Sequence, residues 1–526
     1  MVDNKRFFPY ILFIVLFVEG CVSVNKYNSQ INNLRNVKDL KSDVEYVEHK
    51  LEKLHPDLYH YIPKKDLEYK FDSLKSSLTA PMTSYDFYFK LSPVIASIRQ
   101  GHTQTIPLIK KLKYHEKKIA NSKGTSPLVQ FDFELFDNKL YIVKNYSNDS
   151  SIKAGTEVLN INGVRPMDII EKYSRTLTSD GYNTTFIPRR FGKGFSRYLY
   201  YEQGIQDSVV CLLNYKDTLR SITLKRPVKI KNSEDKKSKE QLVKDKDIDR
   251  KEKQKRKLLG YDPIKKIYSK QLIFPVKDSS IAIFKIMDFM KGNYTKFYKK
   301  SFQLLKSVHT KTIIIDLRDN GGGHIREINT LYSYLADTSF RLINKSQVVS
   351  KTSLWDFGYY NGKELWEKVI QTIFLPVVME VDIFTYLKIR KGEDQKYYFA
   401  LKESKLTHVK SNRFKGKVYV LINGGSFSAS SLLSTNLKES GRAFFVGQET
   451  GGADNGCVAG IMPLRTLPAS KLILRFGLLG CQTPYVSKMD GRGVFPDKEI
   501  TPTLTDRLNG TDPELDWVLN DVKEKN

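Results

Sequence analysis

The spacing of apolar residues changes twice along the chain, and each change predicts a different kind of structure. In the first stretch Leu40, Val44, Val47, Leu51 and Leu54 recur every three or four residues, which puts them on one face of a helix. His55-Pro56 closes that helix, and Tyr69 to Leu78 and Ser84 to Ile98 repeat the pattern. The expectation is a small helical N-terminal domain over 22–114. Residues 127–230 read instead as strands and turns. Tyr141-Ile142-Val143 and Gly155 to Val164 are strand-like, Asn162-Gly163 is a hairpin turn, and Met167 to Tyr173 is helical.

A third pattern begins at residue 281. Short unbroken apolar runs (Ile281 to Ile286, Thr312 to Ile315, Val418 to Ile422) alternate with amphipathic stretches (Tyr294 to Val308, Ile325 to Leu335, Ser426 to Leu437). Buried strands alternating with helices predict an α/β fold with a layered βα core over 269–508. Leu472 to Leu479 reads as a late strand, and Asp512 to Lys523 as a helix closing the chain within 509–526.

Two segments interrupt these patterns. Lys231 to Lys257, in a linker set at 231–268, is a run of Lys, Glu and Asp with Leu242, Val243 and Ile248 its only large apolar residues. It is a solvated linker or exposed helix, or else a patch for anionic headgroups or cell-wall polymer. The insertion at about 340–412 carries Trp355, Phe357, Tyr359 and Trp366 and is too apolar for disorder. It reads as ordinary core or as a substrate-lining lid; Pro376, Glu380 and Asp382 argue against a membrane span there.

At 526 residues the chain exceeds one hydrophobic core. Lys+Arg exceeds Asp+Glu by 86 − 58 = 28, yet no nucleic-acid motif accompanies the charge, so nucleic acid is not an expected partner. Residues 1–21 have the form of an export signal, with basic Lys5-Arg6, apolar Tyr10 to Val18, then Gly20-Cys21. Cys21 stands where a bacterial lipoprotein is lipidated, which predicts a membrane-anchored envelope protein facing the periplasm or exterior; an uncleaved anchor is the alternative. Cys211, Cys457 and Cys481 make neither a disulfide framework nor a zinc spacing, and only Cys457 and Cys481 are near enough to pair. No metal or cofactor is expected.

The chemistry sits where two of the buried strands end. Val418 to Ile422 runs into Asn423-Gly424-Gly425 and then Ser426-Phe427-Ser428-Ala429-Ser430 at a helix start. A serine there is either a cap or a nucleophile lying beside free backbone amides. Thr312 to Asp316 runs into Leu317-Arg318-Asp319-Asn320-Gly321-Gly322-Gly323, whose amides can form an anion nest. Asp316 to Gly323 and Ser426 to Ser430 together resemble the Asp-Leu-Arg-x-Asn-x-Gly-Gly and Ser-x-Ser-Ala-Ser motifs of the C-terminal processing (tail-specific) serine peptidase family. The resemblance implies Ser428 as nucleophile, and the amides of Gly322 and Ala429 as the oxyanion hole. It also implies a crotonase-like or ClpP-like core. Tyr141 to Val143 with Gly155 to Val164 is itself similar to part of a PDZ-like module, so 127–230 is either a PDZ-like β-rich domain or a small β-subdomain with no ligand of its own.

One branch of that family uses a lysine base about two dozen residues after the serine, but Ala453 occupies that place here. The branch of tricorn and the retinoid-binding-protein repeats uses a histidine in a Gly-His-(Ser/Thr) element, and Gly101-His102-Thr103 is similar to it. Gln100 stands where Asp is more common, and Ser431 where the family often has Glu. His102 is thus the expected base, and Asp490, with Asp497 as fallback, the acid that orients it; Asp316 and Arg318 are expected to fix the turn by an ion pair. The resemblance implies an exported serine endopeptidase acting on envelope proteins or peptides. The alternative is an inactive peptide-binding lipoprotein on the same fold.

Overall fold

A computed structural model describes residues 20–123, 126–226, 250–263, 265–275, 277, 279–355, 376 and 379–525. Its centre is a six-stranded sheet in the order Lys498–Glu499, Phe444–Gly447, Lys417–Ile422, Thr312–Asp316, Ile281–Ile286 and Lys270–Ile273. Every neighbour is parallel except the antiparallel edge strand Lys270–Ile273. Parallel strands are covered on both faces, which is why these runs are apolar without a break. Ile313, Ile315, Val418, Val420 and Ile422 pack against helices Tyr294–Ser307, Ile325–Ser333 and Ala429–Glu439. Ile314, Tyr419 and Leu421 point the other way, onto Val518 and Val522 of the closing helix Pro513–Glu524. Each buried aliphatic residue contributes about 1.5–3 kcal/mol, so a charge at Ile314 or Val420 would break the layering.

The N-terminal helices are Val37–Leu54, Lys64–Ser77 and Ser84–Ala96. The five apolar residues read from the first of them are all fully buried. Their core is continuous with the β-rich region and with Leu467 to Leu479. Polar groups reinforce that junction, since buried Asp43 accepts from the amides of Ala469 (2.9 Å) and Ser470 (2.6 Å). The long-range packing matters because it carries His102 to the far end of the chain.

The β-rich region is an antiparallel five-stranded sheet in the order Phe131–Phe136, Lys139–Asn145, Thr156–Ile161, Ser208–Tyr215 and Thr218–Lys225. Asn162 (φ +50°) and Gly163 (φ +86°) join Ile161 to Val164 as the two-residue turn requires. One large element departs from the sequence reading: Phe186–Gln203 is an 18-residue helix within a stretch read as strands and turns. Gly192, Gly194 and its many aromatics are weak helix formers, so packing decides the outcome. Phe191, Phe195, Tyr198 and Leu199 are buried, and Gly192 has no side chain because a Cβ would meet Phe133 O at 2.8 Å.

Two smaller departures lie further on. Leu472 to Leu479 is two strands, Ile473–Arg475 and Leu479–Gln482, in different sheets. The break falls at Gly477, where the backbone of Val458 and Ala459 leaves no space for a Cβ. The insertion contributes Ser346–Val348, Ile389–Lys391 and Tyr397–Phe399 to a sheet with Leu479–Gln482 and Gly456–Ala459, so these strands are built into the fold, whereas Met379, Ile383, Phe384 and Leu387 of the same insertion stand exposed. Cys457 and Cys481 face each other across this sheet as free thiols.

Residues 1–19 of the signal, 231–249 of the linker and 356–375 of the insertion lie outside the described residues, and Cys21 falls in the first described helix, Gly20–Ser29. Among the described residues no helix is long and apolar enough to cross a membrane, and no His, Cys, Asp and Glu cluster could hold a metal ion.

Candidate active site

The turn after Lys417–Ile422 is fixed before Ser428 is reached. Asn423 Oδ1 accepts from the amides of Asp319 and Gly425, both at 2.9 Å, and Ser426 Oγ donates to Leu317 O at 2.7 Å. Ser428 follows at φ +57°, ψ −118°, immediately before helix Ala429–Glu439. A non-glycine residue held there stores about 1–3 kcal/mol. The strain turns the side chain away from the helix, and Ser428 makes no capping hydrogen bond. Ser426, Ser430 and Ser431 are buried, whereas Ser428 is only half-buried. Its Oγ lies 3.0 Å from His102 Nε2.

His102 reaches this place through strand pairing. Just after it, Gln104–Ile106 pairs antiparallel with Ile473–Arg475, and Thr178 Oγ1 donates to Thr103 O at 2.8 Å. Gly101 has room for hydrogen alone, because a Cβ would lie 2.7 Å from the Phe427 ring and 2.9 Å from Asp180 Oδ1. The Phe427 ring is 4.9 Å from the imidazole and stacks on Phe186 at 4.4 Å. Burial pushes the His102 imidazole down to about 3, and Arg475 and Arg190 add to the effect. The ring is therefore neutral at pH 7, as a proton acceptor must be.

Asp490 does not orient this histidine. It is exposed and accepts from His60 Nε2 at 3.0 Å and Asn455 Nδ2 at 2.8 Å. His60, held by Asp57 and Asp490, is pushed up to about 9. Asp497, the fallback, accepts from Phe445 N at 2.7 Å and Lys438 Nζ at 2.6 Å. Each acid was assigned by its place in a motif, and each is taken by a partner from elsewhere in the chain. The carboxylate beside the His102 turn is Asp180, which accepts from the amides of Gly101 at 2.6 Å and Ala453 at 3.3 Å. Burial pushes it up to about 6. An Asp-Gly pair in a loop was its only sequence signal, and that signal marks a turn.

The oxyanion side also differs from expectation at one position. The Gly322 amide donates to Asn320 Oδ1 at 2.9 Å, so it is committed within its own turn. What Gly322 (φ +94°) supplies is proximity, since a Cβ there would sit 2.8 Å from Ser428 Cβ and 2.9 Å from Ala429 N. The Ala429 amide, at the helix start, has no acceptor among the described residues. Asp316 and Arg318 pair at 2.9 Å, and Arg318 also reaches Asp512 at 2.6 Å, which ties the glycine turn to the closing helix. Cys457 lies beside Ser428, and burial raises its thiol well above its usual range, so it stays protonated.

Residues 280–500 match Peptidase family S41. Mature CPAF complexed with lactacystin is similar in structure at 15% identity and a TM-score of 0.56, over 93% of this chain and 98% of that one. Mature CPAF matches at 15% identity and 0.55, over 92% and 96% of the two chains. At such identity the likeness shows a shared α/β fold. No curated protein matches the chain.

Proposed function

The chain carries a peptidase family S41 domain over 280–500, and from that premise we propose an exported serine endopeptidase that hydrolyses peptide bonds of envelope proteins or peptides through an acyl-enzyme on Ser428. The observation that carries this reading is the half-buried, uncapped Ser428 hydroxyl 3.0 Å from a neutral His102 Nε2. Ser428 Oγ attacks the scissile carbonyl as its proton passes to Nε2, and the carbonyl oxygen becomes an oxyanion facing the Ala429 amide. The C–N bond then breaks, and the imidazolium gives its proton to the leaving amine. Water attacks the ester as its proton passes to Nε2, the C–Oγ bond breaks to free the carboxylic acid, and the imidazolium returns the proton to Ser428 Oγ. Export and a lipid anchor at Cys21 rest on the leader-like residues 1–21.

The test is labelling by a fluorophosphonate probe. Wild type is expected to label, with Ser428→Ala silent and His102→Ala slower by about 100-fold or more. An unlabelled wild type, beside a control hydrolase that labels, would overturn the reading in favour of a peptide-binding protein.

A further inference from the structure

One helix of the insertion has its polarity reversed. Residues 379–388 are helical and run directly into strand Ile389–Lys391. The side that meets the protein is the polar one. Thr385 is buried, its Oγ1 donates to Asp382 O at 2.8 Å, and Asp382 Oδ1 is buried without a hydrogen-bond partner among the described residues. The apolar side chains point outward instead: Met379, Val381, Ile383, Phe384, Tyr386 and Leu387 are each 37–58% exposed. Trp355 joins them, its ring 5.6 Å from Tyr386 and its Nε1 donating to Asp382 O at 2.8 Å. A single exposed apolar residue needs no explanation, but a contiguous group marks a surface that meets a partner.

The charge around the patch selects among partners. Lys388 Nζ lies 3.9 Å from the centre of the Phe384 ring and Lys351 Nζ 4.9 Å from that of Tyr386, and Arg390 and Lys391 are exposed just beyond. Glu380 is the one carboxylate on the exposed side of this helix. Glu393 and Asp394 fall in the following turn, where Asp394 accepts from Tyr398 Oη at 2.6 Å. Two copies meeting symmetrically through this face would set its cations against their own counterparts. An anionic bilayer surface accepts both parts of the patch: apolar side chains and rings enter the headgroup boundary while lysine and arginine reach the lipid phosphates. The leader-like residues 1–21 would bring the chain to such a surface.

We propose that helix 379–388, together with Trp355, docks on the anionic surface of a membrane, with its apolar side chains in the headgroup region and Lys351, Lys388, Arg390 and Lys391 on lipid phosphates. Ten residues rise about 15 Å, half the thickness of a hydrocarbon core, so the helix lies on the bilayer rather than across it. Strand Ile389–Lys391 shares a sheet with Gly456–Ala459, whose Cys457 lies beside Ser428. Docking therefore fixes how the candidate active site faces the bilayer. The inference does not depend on hydrolysis at Ser428.

The test reads the patch locally, because an N-terminal anchor alone would also hold the chain on vesicles. The full chain is mixed with vesicles of phosphatidylglycerol or of phosphatidylcholine. Trp355 fluorescence is read with and without bromine on the lipid acyl chains, after subtraction of a Trp355→Phe variant. On phosphatidylglycerol the Trp355 emission is expected to move to shorter wavelength and to be quenched by brominated chains, with little of either on phosphatidylcholine. Phe384→Glu combined with Leu387→Glu is expected to abolish the quenching. Lys388→Gln combined with Arg390→Gln is expected to lower the equilibrium constant for it about 30-fold, roughly 1 kcal/mol for each charge. All four side chains are exposed, so without vesicles both variants are expected to keep Tm within about 2 °C of wild type. No quenching on phosphatidylglycerol, or equal quenching on phosphatidylcholine, would overturn the proposal. So would a Tm several degrees lower in the Phe384→Glu, Leu387→Glu variant, which would mean that another part of the chain covers this face. A dimer in sedimentation that the same variant splits would give the face to a second copy instead.

Discussion

Gly322→Ala tests how the glycine turn serves the serine. The new methyl would sit 2.8 Å from Phe427 O, 2.8 Å from Ser428 Cβ and 2.9 Å from Ala429 N. Two of these atoms are backbone and the third is the Cβ of Ser428 itself, so no flexible side-chain end can move aside. Overpacking of this kind costs about 1–3 kcal/mol, and alanine at φ +94° adds about 1–2 kcal/mol. The total of about 2–5 kcal/mol corresponds to a Tm lower by roughly 4–20 °C for a core of this size. Part of the strain will be relieved by pushing Ser428 outward, and a shift approaching 1 Å costs about 100-fold in rate. The adjacent Gly321 is the control, since a Cβ there meets nothing within 4 Å and its φ is not positive. Gly321→Ala should stay within about 0.5 kcal/mol of wild type. Second-order fluorophosphonate labelling and differential scanning fluorimetry read both variants. If Gly322→Ala labels at the wild-type rate with an unchanged Tm, the close approach described here is wrong.

Three further outcomes follow from the structure. The acid limb of the labelling rate is expected well below pH 6.5, because burial keeps His102 neutral down to about 3; a midpoint near 6.5 would contradict that. His55, fully buried and pushed down to about 4, must charge on unfolding, so its contribution is complete above pH 6.5 and is lost as pH falls, about 3 kcal/mol by pH 4. A Tm that does not fall over that range would refute it. Asp490→Asn is expected to leave labelling unchanged, whereas Asp180→Asn, which sets an amide group against two backbone N–H donors, is expected to cost about 1–3 kcal/mol and slow labelling about tenfold. The reverse ranking would return the orienting role to Asp490.

The sequence disclosed what is local. Strands such as Thr312–Asp316 and Lys417–Ile422 are unbroken apolar runs because both faces are covered, and that property is visible one residue at a time. Ser428, Ala429 and the glycine turn were legible for the same reason, since a strained turn at a strand end needs particular small residues in a row. What stayed hidden depends on partners far along the chain. Asp490 was placed by its distance from a motif, but a carboxylate bonds to whatever the fold brings near it, here His60, 430 positions away. The Gly322 amide was read as free because Asn320 was counted only as a motif residue. Helix Phe186–Gln203 escaped because its stability comes from the sheet beneath it, and Arg190 escaped with it.

The pairing of His102 with Ser428 spans 326 positions. A ribosome supplies the base long before the serine, and the contacts that join them, from Asp43 to Ser470 and from Gln104 to Arg475, close only when residues 470–475 arrive. A chain made only as far as residue 469 therefore holds His102 and Ser428 without the contacts that bring them together. On the proposed function, hydrolytic competence would come only once residues 470–475 have folded against the N-terminal region.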